Sequence, residues 1–64
     1  MATEKQIRYA LLLMQRAGYR TEWMSAEHKR LGASMRERQG RVEDWLKTAA
    51  PRVIDQLKAG DVAR

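Results

Sequence analysis

Apolar residues recur at helical spacing in two separate parts of this chain. Near the start, Ile7, Ala10, Leu11 and Met14 follow the i, i+3, i+4, i+7 pattern of a helix that packs on one side. A second helical phase is held by Val42, Trp45, Leu46, Ala49, Ala50, Val53, Ile54 and Leu57. No stretch alternates apolar and polar residues as a half-buried strand would. The sequence therefore predicts an all-α fold, a compact single domain of three or four helices.

Capping residues predict where the first helix begins and ends. Thr3 and Gln6 have the spacing of a capping box, in which each side chain reaches the backbone N–H of the other residue. Gly18 is the residue type that commonly follows a helix in the left-handed conformation. The first helix is therefore expected over about residues 4 to 17.

The middle of the chain predicts one further helix and one turn. Thr21 is a suitable N-cap and Gly32 a suitable stop, which predicts a second helix over about residues 22 to 31. Ser34 and Glu37 again have capping-box spacing, but another glycine follows soon after. We expect only a short helical turn there, inside an otherwise irregular connection.

Pro51 interrupts the last apolar phase. A proline inside a helix lacks an N–H and clashes with the carbonyl four residues earlier, here that of Lys47. The predicted outcome is a break near residue 49, with a third helix over about 41 to 47 and a fourth over about 49 to 59. A single kinked helix is the alternative. Residues 60 to 64 are expected to be a frayed tail.

Nearly all of the net charge lies in residues 29 to 41, which we call the basic segment. It sums to +4, whereas residues 1 to 28 sum to +1, residues 42 to 64 are neutral and the chain total is +5. Clustered cations suit a phosphate backbone, and arginine equally suits carboxylates on a protein surface. A merely solvated loop is the third interpretation. The candidate partner-binding residues are Lys29, Arg30, Arg36, Arg38, Gln39 and Arg41.

A helix-turn-helix is one possible organisation of the basic segment. The predicted second helix, the turn after it and a helix over residues 35 to 39 have the right order. Arg36, Arg38 and Gln39 are residue types that contact guanine or adenine edges. The second of these helices would be short for a recognition helix, which argues against sequence-specific reading.

Aromatic residues offer a second kind of contact. Tyr19 and Trp23 flank the turn between the first two predicted helices and could stack on bases or anchor an interface. A core position is favoured for both, because the chain has no phenylalanine to fill its centre. Trp45 lies on the apolar stripe of the last segment and is expected in the core.

Catalytic and metal chemistry have little support. The chain has no cysteine and a single histidine, His28, which falls on an inner stripe and is expected to pack rather than react. We predict no enzymatic activity, no cofactor and no metal. The longest apolar run, residues 9 to 14, is far shorter than the roughly 20 residues needed to span a bilayer. We expect an unprocessed, soluble, cytoplasmic protein without a membrane partner, and a homodimer is possible because so small a core is marginal.

Several short strings along the chain carry a family resemblance. They are Thr3-Glu4-Lys5-Gln6-Ile7, Gly18-Tyr19, Leu31-Gly32-Ala33, Met35-Arg36-Glu37-Arg38, Val42-Glu43, Trp45-Leu46 and Ile54-Asp55 with Leu57. Together they resemble small, largely uncharacterised helical proteins of bacterial mobile elements, that is plasmids, integrative elements and phages. The resemblance implies a setting in which small proteins bind nucleic acid or inhibit a host nucleic-acid machine, CRISPR defence complexes included.

Two functions are therefore carried forward. The leading hypothesis is a non-enzymatic binding module of a mobile element that contacts nucleic acid, DNA or RNA, through the basic segment. The alternative is a phage- or plasmid-encoded inhibitor or adaptor, similar to an anti-CRISPR protein, that binds an acidic surface of a host protein complex.

Overall fold

Three helices form the structure, a computed structural model that describes residues 1 to 60. They are α1, Glu4–Arg16; a 3-10 helix, η1, Ala26–Leu31; and α2, Val42–Lys58. The described residues contain one isolated β-bridge and no longer strand. The predicted compact all-α fold is confirmed. The predicted frayed tail lies, apart from Gly60, outside the described residues.

The ends of α1 follow from local sequence, as predicted. The Thr3 N–H donates to Oε1 of Gln6 at 2.9 Å, and the Gln6 N–H donates to Oγ1 of Thr3 at 3.1 Å. At the other end Gly18 has φ +91°, and the Tyr19 N–H returns to the Met14 carbonyl at 2.9 Å. This is a Schellman closure, which satisfies carbonyls that the end of a helix leaves open.

The predicted break at Pro51 is wrong, because α2 continues through it as one helix. Pro51 is exposed, so its ring points away from the core. The carbonyl of Lys47, which cannot receive an N–H from position 51, instead accepts the Ala2 N–H at 2.7 Å. A distant donor thus replaces the missing one. Of the alternative, a single kinked helix, the continuity across Pro51 is observed.

The predicted second helix is also wrong over its first half. Residues 21 to 25 are not helical, and residues 22 to 24 pair instead with residues 40 to 42. The Met24 N–H donates to the Gly40 carbonyl at 2.8 Å, and the Val42 N–H donates to the Glu22 carbonyl at 2.9 Å. Helical structure begins only at η1 and ends, as predicted, at Gly32, which has φ +89°.

The core lies between α1, α2 and η1. Its largest fully buried side chains are Met14, Leu31, Leu46, His28, Val42 and Val53. Trp45 is 6% exposed and packs in the core, as predicted. No helix in residues 1 to 60 is long and apolar enough to cross a membrane.

His28 is fully buried, and both of its ring nitrogens have backbone partners. Nδ1 accepts the Ser25 N–H at 2.9 Å, so Nε2 carries the proton and donates to the Arg20 carbonyl, also at 2.9 Å. The rings of Tyr19 and Trp45 lie 6.1 and 6.2 Å from it, centroid to centroid. His28 therefore joins η1 to the chain before it and packs against both aromatic residues.

Candidate nucleic-acid interface

The basic segment is a connection held at both ends. It leaves η1, makes one turn and enters α2. Near its start the Gln56 side-chain amide donates to the Arg30 carbonyl, and near its end the Gly40 carbonyl accepts the Met24 N–H. These bonds come from α2 and from the strand-like residues 22 to 24. The segment therefore has a defined path, although it has no regular structure between η1 and α2.

The turn inside the basic segment is the predicted capping box. The Ser34 N–H donates to Oε1 of Glu37 at 2.8 Å, and the Glu37 N–H donates to Oγ of Ser34 at 3.2 Å. The hydrogen bonds from the Ser34 backbone and hydroxyl, helped by the charge of Arg52, lower the pKa of Glu37 below its ordinary value of 4.5. The only acid of the segment thus remains ionised while it holds the turn.

The helix-turn-helix organisation is ruled out by this geometry. The first element is a 3-10 helix of six residues, and residues 35 to 37 form a turn without continuing into a helix. A recognition helix needs several exposed turns to lie in the major groove. Arg36, Arg38 and Gln39 therefore project from a turn and the bend after it, and no recognition helix carries them.

The cations of the segment are mostly open to solvent. Lys29, Arg30, Arg36 and Arg41 are exposed, as is Gln39, whereas Arg38 is half-buried. Within residues 1 to 60, no carboxylate lies in ion-pair distance of Lys29, Arg36, Arg38 or Arg41.

Outside the basic segment, some of the cations in residues 1 to 60 form ion pairs and others do not. Arg8 lies 2.8 Å from Glu4, and Lys47 lies 3.2 Å from Asp44. In the basic segment, the four cations without an ion pair lie within 13 residues, so their charge stays available to a partner.

Arg52 extends the charged surface of the basic segment, although the sequence did not predict it as a partner-binding residue. It lies on α2, outside the basic segment, yet its guanidinium covers the turn at Gly32. A Cβ added to Gly32 would come within 3.2 Å of the Arg52 Cζ. Only helical phase could have suggested this, because Arg52 and Gln56 lie one turn apart and both face the end of η1.

The two flanking aromatic residues have different environments. Tyr19 is 4% exposed and lies in the core, the position favoured by the sequence, so it is not an exposed stacking or anchor residue. The favoured core position is wrong for Trp23, which is 56% exposed. It forms the isolated antiparallel bridge with Arg41, whose Cζ lies 5.4 Å from the centroid of the indole ring. Trp23 and Arg41 thus form a cation–π pair at the end of the basic segment.

A shallow groove of about 260 Å³ lies beside this pair. Its walls are formed by Glu37, Gln39, Gly40, Arg41, Asp44, Trp45 and Thr48. Because two carboxylates line it, the groove itself is a poor place for a phosphate. Anions would be favoured instead along the exposed cations outside it.

No family model matches this chain, and no curated protein or solved structure matches it either. Within residues 1 to 60, no group of three or more His, Cys, Asp or Glu side chains could hold a metal ion. The candidate site therefore consists of the basic segment, Arg52 and the Trp23–Arg41 pair.

Proposed function

We propose that this protein is a non-enzymatic binding module that contacts nucleic acid through the basic segment and Arg52. The observation that carries the proposal is the absence of ion-pair partners, within residues 1 to 60, for four cations of one short segment. Holding five cations on one short segment with a single carboxylate is unfavourable in the free protein. A polyanion would remove that repulsion and release its own counterions.

The local structure suits contact with phosphates better than base reading. Arginine presents a planar fork of donors that fits phosphate oxygens, and it keeps its charge at all physiological pH values. A turn places such side chains along a backbone without entering a groove. The proposal is therefore that the protein binds nucleic acid without strong sequence preference. The resemblance described above adds that the protein belongs to a bacterial mobile element.

Salt dependence provides the test. We would measure the affinity for labelled mixed-sequence DNA and RNA by fluorescence anisotropy, between about 50 and 200 mM salt. Each neutralised phosphate contributes about −0.7 to the logarithmic slope on single strands and about −0.9 on duplex. Five contacts would give a slope of about −3.5 on single strands and about −4.5 on duplex.

Matched double variants locate the surface. Arg36→Gln with Arg38→Gln should flatten the slope by about 1.4 on single strands. Lys5→Gln with Arg16→Gln removes the same charge from exposed positions of α1 and should change it much less. No binding at low salt, or equal effects of the two pairs, would overturn the proposal.

An inhibitor or adaptor that binds an acidic host protein is the second candidate. Two exposed apolar side chains favour it, since Met35 is 77% and Trp23 56% exposed beside the arginines. Tryptophan and arginine are also the residues that most often dominate protein interfaces. The test is a complex with a host protein that survives nuclease treatment and is lost in the Arg36→Gln, Arg38→Gln variant. Such a complex would identify that protein, and not nucleic acid, as the partner.

A further inference from the structure

The two tryptophans of this chain have opposite environments. Trp45 is 6% exposed, whereas Trp23 is 56% exposed. A large aromatic side chain gains more than most from burial, so an open indole on a small domain is unusual. The fold does not use Trp23 to fill its core, and a surface function would account for its position.

The backbone on both sides of Trp23 is fixed. Its neighbours Glu22 and Met24 bond to Val42 and Gly40 at 2.9 and 2.8 Å. The indole is therefore presented from a paired strand-like segment and does not lie on a free loop. The backbone that carries the ring therefore has little conformational freedom to lose when a ligand covers the indole.

Arg41 gives the indole one covered face. Its guanidinium lies above the ring in cation–π distance, at 5.4 Å. The indole is still 56% exposed, so part of the ring remains open to a flat ligand. Arg41 is also the last residue of the basic segment. A ligand stacked on Trp23 would therefore lie next to the cations of that segment.

We propose that Trp23 stacks on one unpaired nucleobase while Arg41 and the basic segment hold the flanking phosphates, so that the protein prefers single strands to duplex. This rests on the function proposed above. Bases in a duplex already stack on their neighbours, and only an unpaired base can offer a face to the indole. Such stacking tolerates all four bases, which agrees with a site that has no base-reading helix.

The first experiment separates stacking from charge. Three ligands of about 12 nucleotides in length would be compared. They are a mixed-sequence single strand, the duplex of that strand with its complement, and a single strand that is abasic at every position. We expect the base-containing single strand to bind most tightly. Equal affinity for the abasic strand would overturn stacking while leaving phosphate binding intact. Failure to bind any of the three would overturn the function proposed above, and this inference with it.

The second experiment assigns the stacking to one residue. Trp23→Ala should weaken single-strand binding about 5- to 150-fold without changing the salt slope, and Trp23→Phe should recover most of the loss. Met35→Ala removes another exposed apolar side chain from the same surface and should have little effect. Equal losses in Trp23→Ala and Met35→Ala would contradict the assignment.

Fluorescence gives an independent readout. Because Trp45 is buried, quenching on binding should come from Trp23 and disappear in Trp23→Phe. Quenching that persists in this variant would place the base elsewhere and overturn the proposal.

Discussion

The backbone hydrogen bond between Ala2 and Lys47 leads to a testable prediction, namely that the stability of α2 depends on a donor from outside the helix. Pro51 deprives the Lys47 carbonyl of its normal partner, and the Ala2 N–H replaces that partner at 2.7 Å. Ala2→Pro would remove this N–H. Pro51→Ala would instead supply an N–H within the helix. If the two donors serve the same carbonyl, the two changes must interact.

The expected coupling can be worked out from general magnitudes. A hydrogen bond contributes about 0.5–1.5 kcal/mol net to folding, so Ala2→Pro should destabilise the parent by about 1 kcal/mol. In the Pro51→Ala background the carbonyl already has a helical donor, and the same change should cost about 0.5 kcal/mol or less. The coupling is then roughly 0.5–1 kcal/mol, above the scatter expected for independent sites.

Thermal and urea unfolding, followed by circular dichroism, would measure the four corners of this cycle. In a domain of this size about 1 kcal/mol corresponds to 4–8 °C in melting temperature. Ala2→Gly is the matched control, because it keeps the N–H while removing the partly buried methyl group. Additive effects of Ala2→Pro and Pro51→Ala would refute the idea that Ala2 compensates for the proline.

Other perturbations test the remaining unusual features. His28→Phe keeps an aromatic ring but leaves two backbone groups without partners, and should cost about 2–4 kcal/mol in urea unfolding; a change below about 1 kcal/mol would show that water replaces them. Gly32→Ala and Gly40→Ala both place a side chain at positive φ, +89° and +83°, and should each cost about 1–2 kcal/mol; a much larger loss at Gly32 would mean that the Arg52 guanidinium cannot move aside. The folded pKa of Glu37 is lowered, so its stabilisation is complete above the unfolded pKa and is lost as pH falls through the folded one. Melts from about pH 6 to 3 should show that loss in the parent and not in Glu37→Gln, and parallel curves would contradict it.

The features that sequence predicted correctly are local. The capping boxes at Thr3 and Ser34 and the closure at Gly18 depend on residues at most a few positions apart. Both partners of each of these hydrogen bonds lie close together in the sequence, so the sequence alone can reveal them. The concentration of charge was equally visible, because it requires only counting along the sequence.

The features that sequence missed depend on distant partners. The continuity of α2 at Pro51 requires a donor from Ala2. The predicted helix does not form before η1 because residues 22 to 24 pair with residues 40 to 42. Arg52 joins the charged surface only because α2 packs beside Gly32. Helix propensity and apolar spacing carry no information about such contacts. The predicted break at Pro51 and the predicted helix start at residue 22 therefore both failed where the distant bonds form.

The failed second helix and the candidate site share a physical cause. Pairing of residues 22 to 24 with residues 40 to 42 replaces helical hydrogen bonds, and the same pairing sets Trp23 beside Arg41. A helix over residues 22 to 31 would have removed the bridge that holds the indole against the guanidinium. Substitutions that favour helix at residues 21 to 25 should therefore weaken single-strand binding even where Trp23 and every cation are kept. The arrangement of the proposed site thus depends on one short backbone pairing, and not on side-chain identity alone.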